Sequence, residues 1–268
     1  MISIKGLEKT FNQGTINEKK VLDGFDLEVS DGDFITVIGS NGAGKSTLLN
    51  CISGSVMPDQ GSILLGGKDI TFMSESKRAA MIGRVFQDPI MGTAADMWIE
   101  ENLALAYRRA KPKTLSWAMP RGEEKEFFAR QLARLGLGLE DRMQTKVGLL
   151  SGGQRQALTL LMATIRRPEL LLLDEHTAAL DPRTAETVLK LSDEIIRSDG
   201  LTALMVTHNM QNAIDHGNRL IMMHAGKIIL DIRGEDKKHL TVPDLLSEFA
   251  GLGGMISDEA VLSAPARG

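Results

Sequence analysis

Cysteine occurs once in the 268 residues, at Cys51, so the chain can form no internal disulfide and no cysteine-built zinc site. Core packing is the expected role of that lone thiol. Aromatic residues make up only 4% against 14 methionines, a composition compatible with adaptable apolar surfaces. There is no basic excess either: formal net charge is −4 and pI about 5.8, which argues against DNA or RNA as the main partner. No apolar run approaches the roughly 20 residues needed to span a bilayer, and the opening MISIKGLEKT lacks a signal peptide's long apolar segment. A cytosolic chain is expected, unless another subunit holds it at a membrane. With 43% hydrophobic and 25% charged residues, one large soluble core is the expectation.

What is present is most informative at residues 34–50, FITVIGSNGAGKSTLLN, which reads as strand, phosphate loop and helix. Gly39, Ser40, Asn41, Gly42, Ala43, Gly44, Lys45 and Ser46 fit G-x-x-x-x-G-K-[ST]. Gly42 and Gly44 can take positive φ, letting backbone N–H groups converge on phosphate oxygens where a side chain would block the approach. Lys45 adds a point charge at the β- and γ-phosphates. The helix N-terminus favours the same anion, Ser46 can offer its hydroxyl to Mg²⁺, and Thr47 can reach a further phosphate oxygen.

Upstream, residues 2–5 and 25–29 read as half-buried strands of an antiparallel start. Phe11 lies beside the turn at 12–14 and reads equally as a core residue or as a ligand contact. Downstream, 62–65 and 81–86 are strand-like, the latter ending in Gln87-Asp88-Pro89, where Pro89 makes a loop the expectation. Residues 97–110 and 121–137 show helical spacing, separated by the proline-containing stretch 111–120, and no strand pattern appears before 148. The expected organisation is one domain over 1–250: a core of 1–87 and 159–250, a helical subdomain at 88–158, and a frayed tail at 251–268. Met91, Met97 and Trp98 can form a docking patch or pack that subdomain's own core.

Ser151, Gly152, Gly153 and Gln154 open a second helix, with Ser151 at an N-cap position and no lysine nearby. One triphosphate does not obviously fill two separate cradles, so two chains sharing two nucleotides is the economical resolution. Four leucines at 170–173 lead into Asp174 and Glu175, the pattern of a strand buried on both faces with acids at its ligand edge. Asp174 is suited to the Mg²⁺ shell and Glu175 to polarising a water for in-line attack on the γ-phosphate. Asp181 and Pro182 start a helix over 183–198. The strand at 201–206 delivers His208 to the same edge, as a γ-phosphate contact, and 220–223 with 227–231 reads as a closing hairpin.

Together these segments resemble the ATP-binding subunit of an ABC transporter over about residues 2–245, on GSNGAGKST, Gln87, LSGGQ at 150–154, LLLLDE, the 179–181 loop and His208. The fold so implied is an α/β P-loop NTPase core with an antiparallel β subdomain and an inserted α-helical signature subdomain. The resemblance implies that Phe11 stacks on adenine and that Gln87 contacts Mg²⁺ and the attacking water and senses the membrane subunit. It further implies that Ser151 and Gly153 touch the γ-phosphate of the opposite protomer, that Asp181 links the two sites, that Glu175 is the base and that His208 is the switch. ATP and Mg²⁺ are the implied cofactors. A homodimer, a separate transmembrane permease and an extracytoplasmic substrate-binding protein are the implied partners, with the chain on the cytoplasmic face of the membrane.

Three positions depart from the family's usual pattern: His176 for Pro after the catalytic Glu, Ser40 for Pro in the phosphate loop, and Ala157 for Arg beyond LSGGQ. The variant GRVFQDPIMGTAADMWIEENLALA with DEHTAALDP resembles a subgroup of stand-alone ATPases, some linked to aromatic amino-acid uptake. Import is the expected direction, because no exporter-type loop precedes LSGGQ and no membrane domain is fused. The alternative is an ABC ATPase acting on DNA, ribosomes or another cytosolic assembly. A small-molecule phosphotransferase leaves LSGGQ and His208 without a purpose.

Overall fold

A computed structural model describes residues 1–109 and 122–251. The separator expected at 111–120 and the tail beyond 251 lie outside those residues. In chain order the first elements are β1 (Ile2–Phe11), β2 (Lys19–Val29), β3 (Phe34–Gly39), α1 (Lys45–Ser53), β4 (Gln60–Leu65), β5 (Lys68–Asp69) and α2 (Glu75–Arg78). There follow β6 (Ile82–Val85), α3 (Ile99–Arg108), α4 (Glu123–Ala133), α5 (Gly152–Thr164), β7 (Leu170–Asp174) and α6 (Pro182–Ser198). The chain closes with β8 (Ala203–Val206), α7 (Met210–Asp215), β9 (Arg219–His224), β10 (Lys227–Arg233), α8 (Gly234–Lys238) and α9 (Val242–Gly251). Two compact units result, one of Met1–Arg78 with the chain from Leu201 onward, the other of Ala79–Gly200.

The first unit holds an antiparallel sheet in the order β2-β1-β4-β5. Its first two strands are longer than the alternation at 2–5 and 25–29 suggests, because exposed polar residues continue the pairing out to Phe11 opposite Lys19. A second sheet sets β3 parallel to both β8 and β9, with β10 antiparallel to β9. Ile35, Val37, Leu204, Val206 and Ile221 are all fully buried, which is why these strands read as unbroken apolar runs. Thr36 interrupts that core harmlessly, since its hydroxyl donates to the Ala213 carbonyl at 2.8 Å. Arg78, also fully buried, donates to the carbonyls of Cys51 (2.6 Å) and Ile52 (2.9 Å) and so satisfies the end of α1. Cys51 is buried there, and burial pushes its thiol up to about 11.

In the second unit β6 and β7 run parallel, with Ile82 opposite Leu170 and Val85 opposite Leu173. Gly83 lets β6 approach α5 closely, because a Cβ there would lie 2.6 Å from the Ala163 carbonyl. Tyr107, Phe127 and Phe128 cluster with ring centroids 5.5–5.9 Å apart, joining α3 to α4. The helical subdomain expected at 88–158 contains, among the described residues, an isolated bridge of Trp98 with Lys146, and α3 begins at Ile99 rather than at 97.

Candidate nucleotide site

In the first unit the phosphate loop follows β3 directly. Gly42 and Gly44 have φ of 79° and 102°, the left-handed region their positions required. At Gly44 a Cβ would also meet the Val21 carbonyl at 2.9 Å. No side chain caps the start of α1, leaving the first N–H groups to the loop's concave side. Lys45 is buried and donates to the carbonyls of Gly39 (2.7 Å) and Ser40 (3.2 Å). Asn41 and Ser46 are exposed, Thr47 is half-buried, and Ala43 is buried with its carbonyl accepting from the Gly226 N–H at 3.0 Å.

His208 belongs to the same edge. Val37 is level with Val206 in the parallel ladder, and the Thr207 N–H donates to the Val37 carbonyl at 3.1 Å, so His208 follows β8 beside the start of the loop. Phe11 is 37% exposed at the end of β1, with the Lys9 ammonium 5.6 Å from its ring. Its cross-strand partner Lys19 places Nζ 3.3 Å from where a Gly42 Cβ would stand. Phe11, Lys19 and the phosphate loop are therefore contiguous, and Lys19 is a cation that sequence reasoning missed. Nothing in the Lys19-Lys20 pair distinguishes it from a solvated surface charge, because the loop it meets lies more than twenty residues away.

In the second unit β6 and β7 are paired up to Val85 opposite Leu173, and Gln87 and Glu175 each follow two residues later, past the same ends of the two strands. Gln87 is exposed and Glu175 half-buried. Glu175 has φ of 44°, an uncommon conformation for a residue with a Cβ, and one that recurs where function dictates geometry. The next residue anchors it: His176 is buried, its Nε2 3.0 Å from the Ser192 hydroxyl of α6. Ser192 spends its proton on the Val188 carbonyl at 2.8 Å, so the ring nitrogen supplies the hydrogen in the His176 pair. Proline could not make this bond. Asp174 accepts from Arg84 Nη2 at 3.0 Å.

Ser151 caps α5 as expected. Its hydroxyl accepts from the Gln154 N–H at 3.2 Å, and the Gln154 side-chain oxygen accepts from the Ser151 N–H at 3.2 Å, closing a capping box. Gly152 is exposed, whereas Gly153 is buried where a Cβ would lie 2.2 Å from Thr184 Cγ2. The second glycine is thus needed for packing on α6. A pocket of about 340 Å³ opens beside this helix start, lined by Ser151, Gln154, Arg183, Thr187 and Leu191 among others. Asp181 caps α6 by accepting from the Thr184 N–H at 3.1 Å, and its hydrogen bonds to Thr184 hold its carboxyl below the usual range. Met91 is exposed, while Met97 and Trp98 are half-buried.

The left-handed glycines Gly42 and Gly44, the uncapped start of α1 and the Lys45 ammonium beside it suit a triphosphate. Among the described residues no three His, Cys, Asp or Glu side chains gather to cage a metal. Phosphate-bound Mg²⁺ needs no cage, taking one or two protein oxygens and several waters, and Ser46 in the first unit, like Asp174 and Gln87 in the second, carries an oxygen of the hard type it takes. These features define a P-loop nucleotide-binding α/β protein with a second, serine-glycine helix start.

Residues 22–178 match the family model described as ABC transporter, and the chain belongs to that family. It is 42% identical to a tyrosine transport ATP-binding protein of Clostridioides difficile, over 93% of this chain and 98% of that protein. A methionine import ATP-binding protein of Rhizobium johnstonii is 38% identical over 78% of this chain, which spans 55% of that longer protein. Among solved structures, a dimeric ATP-binding cassette in a post-hydrolysis state bound to ADP and Pi superposes with a TM-score of 0.72. That cassette is 27% identical, with 87% of this chain and 98% of the other covered. The enzymatic class is that of the family, ATP hydrolysis, and no helix among the described residues is long and apolar enough to cross a membrane.

Proposed function

We propose that this chain is the ATP-hydrolysing subunit of an importer, in which two copies close around two ATP molecules and drive a separate membrane permease from the cytoplasmic face. One observation supports the assignment of roles: Gln87 and Glu175 each lie just past the same ends of the paired parallel strands β6 and β7, an amide after one and a carboxylate after the other. The core of 1–87 and 159–250 binds nucleotide, and the helical subdomain 88–158 presents Ser151 and Gly153 to the other copy's γ-phosphate. Met91, exposed on that subdomain, is offered to the permease. An extracytoplasmic binding protein completes the system. The name of the Clostridioides difficile relative supports an aromatic amino acid of the tyrosine type as the solute.

In the reaction, Phe11 stacks on adenine, and the N–H groups from Ser40 to Thr47 wrap the phosphates. Lys45 exchanges the carbonyls of Gly39 and Ser40 for the β- and γ-phosphate oxygens, anionic acceptors in place of neutral ones. Glu175 takes a proton from water as the water oxygen bonds to the γ-phosphorus, and the bond to the β–γ bridging oxygen breaks to give ADP and phosphate. His208 donates to a γ-phosphate oxygen and reports its presence. Ser46, Asp174 and Gln87 would hold Mg²⁺, which when bound spreads the phosphate charge. Asp181 couples one site to the other.

Glu175→Gln keeps the shape and removes the base, so turnover should fall by about 100-fold or more while ATP still closes the pair. Size-exclusion chromatography at saturating ATP should then show a stable dimer. A monomer under those conditions, or near-normal turnover, would sink the proposal. Membranes should yield the wild-type chain with a multi-span permease; recovery with ribosomes or nucleic acid would instead favour a cytosolic role.

A further inference from the structure

Arg84 has no part in the mechanism above, yet it is placed against one of its carboxylates. It stands opposite Leu172 in the β6–β7 register. Side chains alternate along a strand, so Arg84 and Phe86 share a face with Leu172 and Asp174. The shared face is used: Arg84 Nη2 donates to Asp174 Oδ2 at 3.0 Å, with the two side chains only 14% and 16% exposed. The guanidinium also lies 4.7 Å from the centre of the Phe86 ring. Phe86 is itself held, its carbonyl accepting from Nε2 of the fully buried Gln156 at 3.1 Å.

Around it β6 is apolar and buried at Ile82 and Val85. A charge set among such neighbours is costly unless a counter-charge stands close, and Asp174 provides one. That carboxylate is also the acidic group assigned above to the metal. Divalent-cation affinity rises with the net negative charge of the ligand set, and a neighbouring cation acts more strongly where water is largely excluded. A guanidinium stacked on an aromatic ring is also a pre-organised donor that is not easily swung aside.

We propose that Arg84 is a built-in counter-cation for Asp174, which lowers the divalent-metal affinity of the site by competing for the same carboxylate. The inference rests on the assignment of Asp174 to the metal. Its consequence is that metal entry requires Arg84 to yield or share Oδ2, while the stacked Phe86 immediately precedes Gln87.

The test is Mn²⁺ binding to the full chain with a non-hydrolysable ATP analogue, read as free Mn²⁺ by electron paramagnetic resonance. Arg84→Met keeps length and contact with the Phe86 ring while removing the charge, and should bind Mn²⁺ about five- to tenfold tighter. Arg84→Lys retains the charge and should stay within about twofold of wild type. Arg84→Gln, a neutral hydrogen-bonding substitute, serves if the methionine variant melts early, and should also tighten binding. Asp174→Asn should weaken Mn²⁺ binding about tenfold or more. Unchanged or weaker binding by the neutral Arg84 variants, with Asp174→Asn weakened, overturns the competition. Unchanged binding by Asp174→Asn overturns the metal role of Asp174 itself, a separate failure.

Discussion

The starts of α1 and α5 are both glycine-rich and both assigned to a phosphate, yet they solve the same local problem in opposite ways. At α1 the N-cap is Gly44 in a left-handed conformation, with no side-chain cap. At α5 the N-cap is Ser151 in an extended conformation, and a reciprocal box with Gln154 already satisfies two backbone donors. The first helix therefore presents several open N–H groups and a lysine, a cradle suited to holding a triphosphate by itself. The second offers chiefly a serine hydroxyl that can still turn its proton outward. Two glycine-rich helix starts are accordingly built differently, one left open and one closed by its own cap.

The comparison breaks most sharply at the glycines. Gly44→Ala forces a Cβ into a left-handed conformation and to 2.9 Å from the Val21 carbonyl. It should cost about 2–4 kcal/mol and weaken nucleotide binding. At Gly152 an added Cβ would meet only the end of the Leu180 side chain, at 3.2 Å, so Gly152→Ala should stay within about 1 kcal/mol of wild type. Urea denaturation of both variants measures the contrast, and equal losses would mean that the two loops are built alike.

Ser151→Ala gives a smaller effect. Loss of the cap should cost about 1 kcal/mol, or about 2–4 °C in Tm, with Ser151→Thr restoring most of it. If the hydroxyl also completes the site in trans, ATP turnover by the alanine variant should fall well beyond what the lost stability explains. Turnover that simply follows Tm would reduce Ser151 to a structural cap.

The smallest effect lies at α6, whose cap is ionised. Hydrogen bonds from Thr184 lower the carboxyl pKa of Asp181 in the folded chain. Stability from this cap is therefore fully present above the unfolded value near 4 and lost as pH falls through the lower folded value. Asp181→Asn keeps a capping oxygen without titrating, so its Tm should match wild type near neutrality and decline less below pH 4. Parallel acid limbs in thermal melts would show that the carboxylate does not contribute.

Much of this site was legible because its parts are contiguous in the chain. Residues 39–47, 151–154 and 174–175 each announce a turn, a cap or a buried strand end through local chemistry. Phe11 was ambiguous because the strand carrying it continues through exposed residues that mask the alternation, and only the pairing with Lys19 ties it to the phosphate loop. Gly153 read as an exposed donor, whereas Thr184 makes it a packing position. His176 read as an unexplained departure from proline, and Ser192, sixteen residues later, supplies its reason.

By itself the sequence determined the order and type of the chemical groups, since phosphate cradles, caps and buried strands depend on residues within a few positions of one another. It also excluded an internal disulfide and argued against a nucleic-acid partner, on composition alone. Tertiary structure decided which groups stand level and which meet. The β6–β7 register sets Gln87 and Glu175 past the same ends of neighbouring strands and brings Arg84 to Asp174 across ninety positions of chain. Such encounters depend on strand register and helix packing, which no local spacing encodes.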